Sequence, residues 1–167
     1  MNTSQTTKSQ QWLLYCRPGF ERDCVQETQG KPLEANPNSG FVIIQGKQRL
    51  NYEQLTFARQ LIALHGEISE LPERDRLTPL LAAIPDTPPT FGALWLETPD
   101  TNDGKTLSGF IRRFQPLLEE KLRAAGRLSD DASLPRLHIF FPDKNRALTG
   151  SSEPRNSAAA PMGILRM

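Results

Sequence analysis

The chain has 167 residues, of which 37% are hydrophobic and 23% charged, and its formal net charge is +1. That length suits one domain or two small lobes with a buried core, and the composition is typical of a globular protein. No apolar run approaches the roughly 18 residues that a membrane span needs, so no membrane association is expected. The near-neutral charge excludes a uniformly basic nucleic-acid binder. Residues 105–167, however, carry 11 basic and 6 acidic side chains.

The first half predicts a small α/β lobe over residues 12–70, preceded by a polar, disordered tail over residues 1–11. The predicted order is strand, helix, strand, helix, strand. The three strands are expected at Trp12–Cys16, within Gly40–Gly46 and at Leu61–Ile68. The first helix should have Phe20, Cys24 and Thr28 on its inner side, and the second, at Asn51–Arg59, should be capped by Asn51. The strands containing Leu13–Cys16 and Phe41–Ile44 are expected in one sheet. Val42 and Ile44 should face one way, and Phe41 and Ile43 the other.

A proline-rich and charged segment, residues 72–89, predicts a boundary between two lobes, with one short helix near Thr78–Ile84. The second lobe then contains a strand at residues 91–100 and a strand pair at residues 136–141 and 146–150. Residues 151–167 are rich in Ser, Ala and Pro and predict a linker. The fold class is therefore α+β, with two small lobes.

The stretch "KTLSGFIRRFQPLLEEKLRAAGRL", residues 105–128, predicts an amphipathic helix. Its apolar positions are Leu107, Phe110, Ile111, Phe114, Leu117, Leu118, Leu122 and Ala125, and they should pack against the strands that contain Trp95 and Ile139. Pro116 should kink this helix or start a second one. Glu119 and Glu120 are placed to pair with neighbouring Arg or Lys side chains.

The polar side of this helix is rich in cations. The candidate RNA-binding residues are Lys105, Arg112, Arg113 and Arg123, widened by Arg136 and Arg146 from neighbouring segments. The pattern leaves two interpretations open, a solvated surface and a nucleic-acid interface. Phe110 and Phe114 belong to the apolar side, so no exposed aromatic platform for stacking bases is expected, and contacts to phosphates and RNA shape are favoured.

No catalytic or metal-binding pattern is present. The two histidines, His65 and His138, lack ligand spacing, and His138 is expected to be structural because it lies in an apolar strand. Cys16 and Cys24 have no zinc spacing and predict buried thiols in a reducing cytoplasm. No glycine-rich loop follows a strand, so no cofactor site is predicted within this chain.

Several stretches together resemble the N-terminal half of the RlmM family. They are "WLLYCRPGFERDC", "LTFARQ", "LPERDRLTP", "TPDTNDGKTLSGFIRRFQPLLEEKLRAAG", "LHIFF" and "PMGILRM". The members of this family are bacterial methyltransferases that modify a cytidine ribose 2′-oxygen of 23S ribosomal RNA with S-adenosylmethionine.

The resemblance implies a ferredoxin-like lobe over residues 12–70 and a THUMP domain, an RNA-binding module, over residues 71–150. It also implies that residues 151–167 lead to a catalytic methyltransferase domain in cis, which would bind S-adenosylmethionine. The expected function is RNA targeting in the cytoplasm, with ribosomal RNA as partner and no catalysis by this chain alone. The alternative is a protein-interaction or structural lobe without RNA contact.

Overall fold

A single seven-stranded sheet organises the computed structural model, which describes residues 9–154. The strands are β1 (Ser9–Tyr15), β2 (Lys31–Glu34), β3 (Phe41–Lys47), β4 (Gln60–Ile68), β5 (Ala93–Glu97), β6 (Arg136–Asp143) and β7 (Arg146–Ser152). The helices are α1 (Glu21–Thr28), α2 (Leu77–Ala82), α3 (Asn102–Thr106) and α4 (Ser108–Ala124). The sheet order is β2-β3-β1-β4-β7-β6-β5. This mixed architecture confirms the predicted α+β class, and both predicted lobes share the one sheet.

Both faces of the sheet are buried, which explains the uninterrupted apolar runs of its strands. In β3, Val42 and Ile44 pack with α1. Phe41 and Ile43 point to the opposite face. β1 and β3 are antiparallel neighbours, so the predicted common sheet and the predicted alternation in β3 are confirmed.

Three hydrophobic clusters divide the core. One lies between α1 and the first strands and includes both cysteines, Cys16 and Cys24, which are buried thiols as predicted. A second lies between the helices α2 and α4 and the strands β5, β6 and β7. The third, here called the inner core, lies on the other face of the sheet and contains Leu13, Tyr15, Phe41, Ile43, Ile62, Phe140 and Leu148.

The inner core is buried because the sheet is rolled. Strands β3 and β6 are four positions apart, which would separate them by about 19 Å in a flat sheet. The rings of Phe41 in β3 and Phe140 in β6 are nevertheless 5.1 Å apart. Tyr15 of β1 likewise stacks on Phe140 at 4.7 Å. The two halves of the sheet therefore face each other across this core.

The two halves join at β4 and β7, which pair antiparallel with an irregularity between Leu64 and Gly66. Gly150 lies at this junction. A Cβ atom there would overlap the Ala63 carbonyl oxygen and lie 2.5 Å from Cγ2 of Ile62. Because one neighbour is backbone of the paired strand and the other, Ile62, is fully buried, the close approach of β4 and β7 requires glycine at this position.

The predicted helix at Asn51–Arg59 is wrong. Asn51 does cap a helical turn, since its side chain accepts from the backbone N–H of Glu53, but that turn is a 3₁₀ helix limited to Tyr52–Gln54. The following backbone is held by a tertiary contact: the Glu27 carboxylate accepts hydrogen bonds from the N–H groups of Thr56, Phe57 and Ala58. Donors committed to Glu27 cannot continue a helix.

Two predicted boundaries also shift, and one strand was not predicted. Residues 9–11 belong to β1, so the predicted tail ends too late, and residues 1–8 lie outside the described part. β7 extends to Ser152, so the predicted linker starts too early, and residues 155–167 are likewise outside it. The edge strand β2 was not predicted because its sequence, KPLE, is short, largely exposed and lacks apolar alternation.

The amphipathic helix differs from its prediction at three points. The break falls at Leu107, between α3 and α4, and α4 continues through Pro116. The apolar side includes Ile111, Leu118 and Leu122 as predicted. Leu117, however, is 53% exposed.

We expect Gly150→Ala to lower the free energy of unfolding by about 1–3 kcal/mol or more, because overpacking a buried strand junction forces the backbone to shift. Gly109→Ala in α4 is the matched control, since a Cβ there meets nothing within 4 Å. That change should stabilise by about 0.4–1 kcal/mol. Urea unfolding of both variants measures the difference, and an equal effect in the two would contradict the assigned role of Gly150.

Candidate nucleic-acid interface

The candidate interface is built on α4, whose position is fixed by its buried side. Ile111 and Leu118 are fully buried against the strands β5, β6 and β7. Phe110 and Phe114 make an edge-to-face contact at 4.8 Å and pack against the same cluster. Since residues 112 and 113 lie on the opposite side of a helix so oriented, Arg112 and Arg113 are exposed.

The preceding turn places Lys105. Thr101 caps α3, and its Oγ1 accepts from the backbone N–H of Gly104 at 2.9 Å. A Cβ at residue 104 would overlap the Pro99 carbonyl oxygen, so this turn needs glycine. Lys105 follows directly and is exposed. The segment Asp100–Lys105 is therefore a rigid turn that presents a cation beside α4.

Lys105, Arg112 and Arg113 form the part of the predicted patch that we call the α4 basic face. Within residues 9–154, none of these three side chains makes a hydrogen bond or ion pair. The predicted pairing of Glu119 and Glu120 with neighbouring cations is also absent from this part of the chain. The three positive charges are thus available to an external anion.

Arg123 lies at the far end of α4 and is partly neutralised. Its guanidinium is 2.9 Å from the Asp130 carboxylate, and both side chains are largely exposed. Such exposed pairs contribute at most about 1 kcal/mol, so Arg123 can exchange Asp130 for another anion. It remains a peripheral member of the face.

Arg136 is not on the α4 side of the sheet. It alternates with Leu137, which packs under the helices, and shares its face with His138 and Phe140. Its guanidinium lies 4.5 Å from the Trp95 ring centroid and donates to the Glu153 carbonyl at 2.7 Å. These contacts place Arg136 on the face of the sheet that carries the inner core.

Arg146 is also on that side, where it ties distant strands together. Two of its nitrogens donate to the Glu34 carboxylate at 2.8 and 2.6 Å, and Nε donates to Glu67 at 2.8 Å. The hydrogen bonds to Glu34 raise the pKa of Arg146, although partial burial opposes the shift. With two carboxylates already bound, Arg146 links β2, β4 and β7 and offers little charge to an external partner.

His138 has the structural role that was predicted. Its Nδ1 is 2.8 Å from the Glu97 carboxylate and its Nε2 is 2.6 Å from the Ser152 hydroxyl. Tyr15 donates to the same Glu97 oxygen at 2.7 Å. Burial, then Glu97, raises the pKa of Tyr15 well above its ordinary value. The order Ser–His–Glu is that of a hydrolase relay, but all of these side chains are at most 4% exposed, so no substrate can reach them.

A surface that the sequence did not reveal lies beside α1. Phe20 was predicted on the inner side of that helix, but it precedes α1 and is 40% exposed. It stacks on Phe57, with ring centroids 5.7 Å apart and planes inclined by 21°. The expectation that the chain has no exposed aromatic platform is therefore wrong. The sequence analysis missed this pair because it placed Phe20 on the inner side of α1 and Phe57 in a helix.

Residues 9–154 contain neither a metal site nor a membrane-spanning helix. In that range, no group of three or more His, Cys, Asp or Glu side chains is arranged to hold a metal ion. None of the helices there is both long enough and apolar enough to cross a membrane.

Comparison with known proteins identifies the family. A model described as "Ribosomal RNA large subunit methyltransferase M, N-terminal" matches residues 75–153, and one described as "RlmM ferredoxin-like domain" matches residues 9–62. This chain belongs to the RlmM family. The second match confirms the predicted ferredoxin-like unit in the first half.

Individual relatives agree with this membership. The "Ribosomal RNA large subunit methyltransferase M" of Laribacter hongkongensis is 48% identical over 93% of this chain, and that of Xylella fastidiosa strain M23 is 39% identical over 93%. The matched regions make up 47% and 49% of those relatives, so the chain spans about half of their length.

Solved structures support the fold alone. TrmN from Thermus thermophilus matches 84% of this chain and 45% of its own with a TM-score of 0.55 at 21% identity. A predicted N6-adenine-specific DNA methylase from Listeria monocytogenes matches 90% of this chain and 42% of its own with a TM-score of 0.52 at 18% identity. In both, the matched part is less than half of the solved chain.

We expect Arg146→Gln to lower the free energy of unfolding by about 1–3 kcal/mol, because it leaves two carboxylates facing each other without a cation. Arg123→Gln removes the same charge from an exposed pair and should cost less than about 1 kcal/mol. Urea unfolding measures both values. If Arg123→Gln is the more costly change, the assignment of Arg146 to strand linkage is wrong.

Proposed function

We propose that this chain is the RNA-targeting region of an S-adenosylmethionine-dependent methyltransferase that modifies a cytidine ribose 2′-oxygen of 23S ribosomal RNA. The observation that carries the proposal is the α4 basic face, with three exposed cations free of internal partners within the described residues. The family membership supplies the ribosomal RNA and the methyl transfer.

In the proposed mechanism, the positive charges of the α4 basic face position the chain on the RNA. Lysine and arginine side chains neutralise phosphates and release condensed counterions, which gives salt-dependent binding with little sequence preference. Such contacts fix orientation on the RNA but do not select a base. The rigid turn before Lys105 and the buried side of α4 hold the cations in a fixed arrangement, so an RNA helix can dock without reordering this surface.

The proposed organisation places a ferredoxin-like unit at residues 12–70 and the THUMP domain at residues 71–150, close to the matched ranges 9–62 and 75–153. Residues 151–167 then connect to a methyltransferase domain in cis. That domain would bind S-adenosylmethionine and carry the catalytic residues. The cytoplasm, where ribosomes assemble, is the proposed location.

A protein-docking role for α4 is the second candidate, and Leu117 is the observation that favours it. This leucine is 53% exposed and lies one helical turn after Arg113. An apolar side chain beside cations suits a protein partner better than a phosphate backbone. The two roles differ in their response to salt and to RNA.

Within residues 9–154, the turn between β1 and α1 does not fit S-adenosylmethionine. The turn from β1 into α1 contains Gly19, which donates its N–H to the Glu21 carboxylate at 3.0 Å. Glu21 also accepts from Asn38 at 2.9 Å and Gly40 at 2.9 Å. The buried Glu21 carboxylate thus occupies the N–H donors that an anionic group of a cofactor would need. No step of the reaction is assigned to this chain.

Isothermal titration of the isolated chain with S-adenosylmethionine should accordingly give no binding heat at micromolar cofactor. The blocked turn at Glu21 is the physical reason. A saturable isotherm with micromolar affinity would overturn this expectation.

Reversal of charge on the α4 basic face should weaken RNA binding. Arg112→Glu combined with Arg113→Glu is expected to flatten the slope of log K against log salt by about one per lost phosphate contact. Fluorescence anisotropy with a labelled fragment of folded ribosomal RNA, titrated at several salt concentrations, measures this slope.

Lys47→Glu combined with Arg49→Glu is the matched control, because it makes the same charge change at exposed positions near the end of β3. Its slope should stay close to that of the parent. Equal slopes for the parent and both variants would show that the α4 basic face does not bind RNA. In that case, weaker binding of a protein partner by Leu117→Ala would favour the second candidate.

A further inference from the structure

A small cavity of about 200 Å³ lies beside α1, on the opposite half of the sheet from α4. Its lining residues are Arg17, Phe20, Thr56, Phe57 and Arg59. The Phe20 ring rests with one face on Phe57 and is 40% exposed.

The cavity is preorganised by two carboxylates of α1. Glu21 is 3% exposed and binds the N–H of Gly19, directly before Phe20. Glu27 binds the N–H groups of Phe57 and Ala58 at 2.8 and 3.0 Å. Glu27 lies in the last turn of α1, where the helix dipole disfavours a negative charge. Its three backbone donors offset that cost and fix the loop that carries Phe57.

The charge of the cavity selects an anionic partner. Neither the Arg17 nor the Arg59 guanidinium makes a hydrogen bond or ion pair within the described part of the chain, and the lining contains no carboxylate. A larger depression beside Trp12 differs in this respect, since Glu53 and Glu153 outnumber its one arginine, Arg49. Of these two depressions, the smaller one combines an aromatic platform with two arginines and no carboxylate in its lining.

We propose that this cavity binds one unpaired nucleotide of the RNA, with its base stacked on the open face of Phe20 and its phosphate held by Arg17 and Arg59. Stacking on an aromatic ring with a neighbouring arginine is the chemistry by which proteins hold single strands without reading a sequence. The proposal rests on the proposed RNA-targeting function and extends it. The α4 basic face takes the phosphates of folded RNA, and the cavity takes a nucleotide that has left the helix.

The experiment compares binding of a short labelled oligouridine and of a duplex RNA by the 167-residue chain. Phe20→Ala should weaken oligouridine binding about fivefold or more and leave duplex binding unchanged. Phe20→Trp keeps the platform, so it should retain affinity, and its fluorescence should be quenched on binding. Trp12 and Trp95 are at most 7% exposed and provide a constant background. Leu33→Ala, at another exposed apolar side chain, is the matched control.

Arg17→Ala tests the phosphate contact separately and should reduce the salt slope for oligouridine by about 0.7. If Phe20→Ala binds oligouridine as Leu33→Ala does, the proposal is overturned, and the cavity is a protein-docking site or bare surface. The RNA-targeting function survives that result if charge reversal at Arg112 and Arg113 still weakens duplex binding. If the parent chain binds neither RNA, both proposals fail.

Discussion

The close approach of β4 and β7 is the constraint on which the remaining structure depends. These central strands join the two halves of the sheet, and the roll about them brings Phe41 to Phe140 and Tyr15 to Glu97. The polar chain from Tyr15 through Glu97 and His138 to Ser152 is held in this core by three hydrogen bonds, two of them to one oxygen of Glu97. The rolled sheet in turn provides the rigid support for α1 and α4, each packed on an outer face.

Among residues 9–154, two kinds of cation differ in a way that the charge count does not show. One group is used internally: Arg127 donates to the carbonyls of Pro85 and Pro89 and lies over the Phe91 ring, and Arg146 binds two carboxylates. The other group projects outward from α3, α4 and the turn before α1. Only the second group is suited to phosphates, so surface potential depends on which arginines are already paired rather than on their number.

The sequence predicts those features that repeat locally. Apolar runs located β1, β3 and β6, and three-to-four spacing located the buried side of α4. Features fixed by contacts between distant residues were not predicted. Glu27 binds three N–H groups in the segment that was predicted as a helix. Glu34 and Glu67 bind Arg146, which was predicted to contact RNA. The pairing of Phe20 with Phe57 joins residues from two separate loops, and no periodicity records it.

The central place of β7 also bears on how the protein is made. This strand comes last in the sheet along the chain, yet it lies between β4 and β6. During synthesis, β1 to β4 can pair early, but β4 keeps an open edge until residues 146–152 have emerged from the ribosome. Until then Phe140 and Leu148 are missing from the inner core, so the nascent chain exposes a strand edge and apolar surface that are prone to aggregation. Closure of the roll is therefore a late, long-range step of folding.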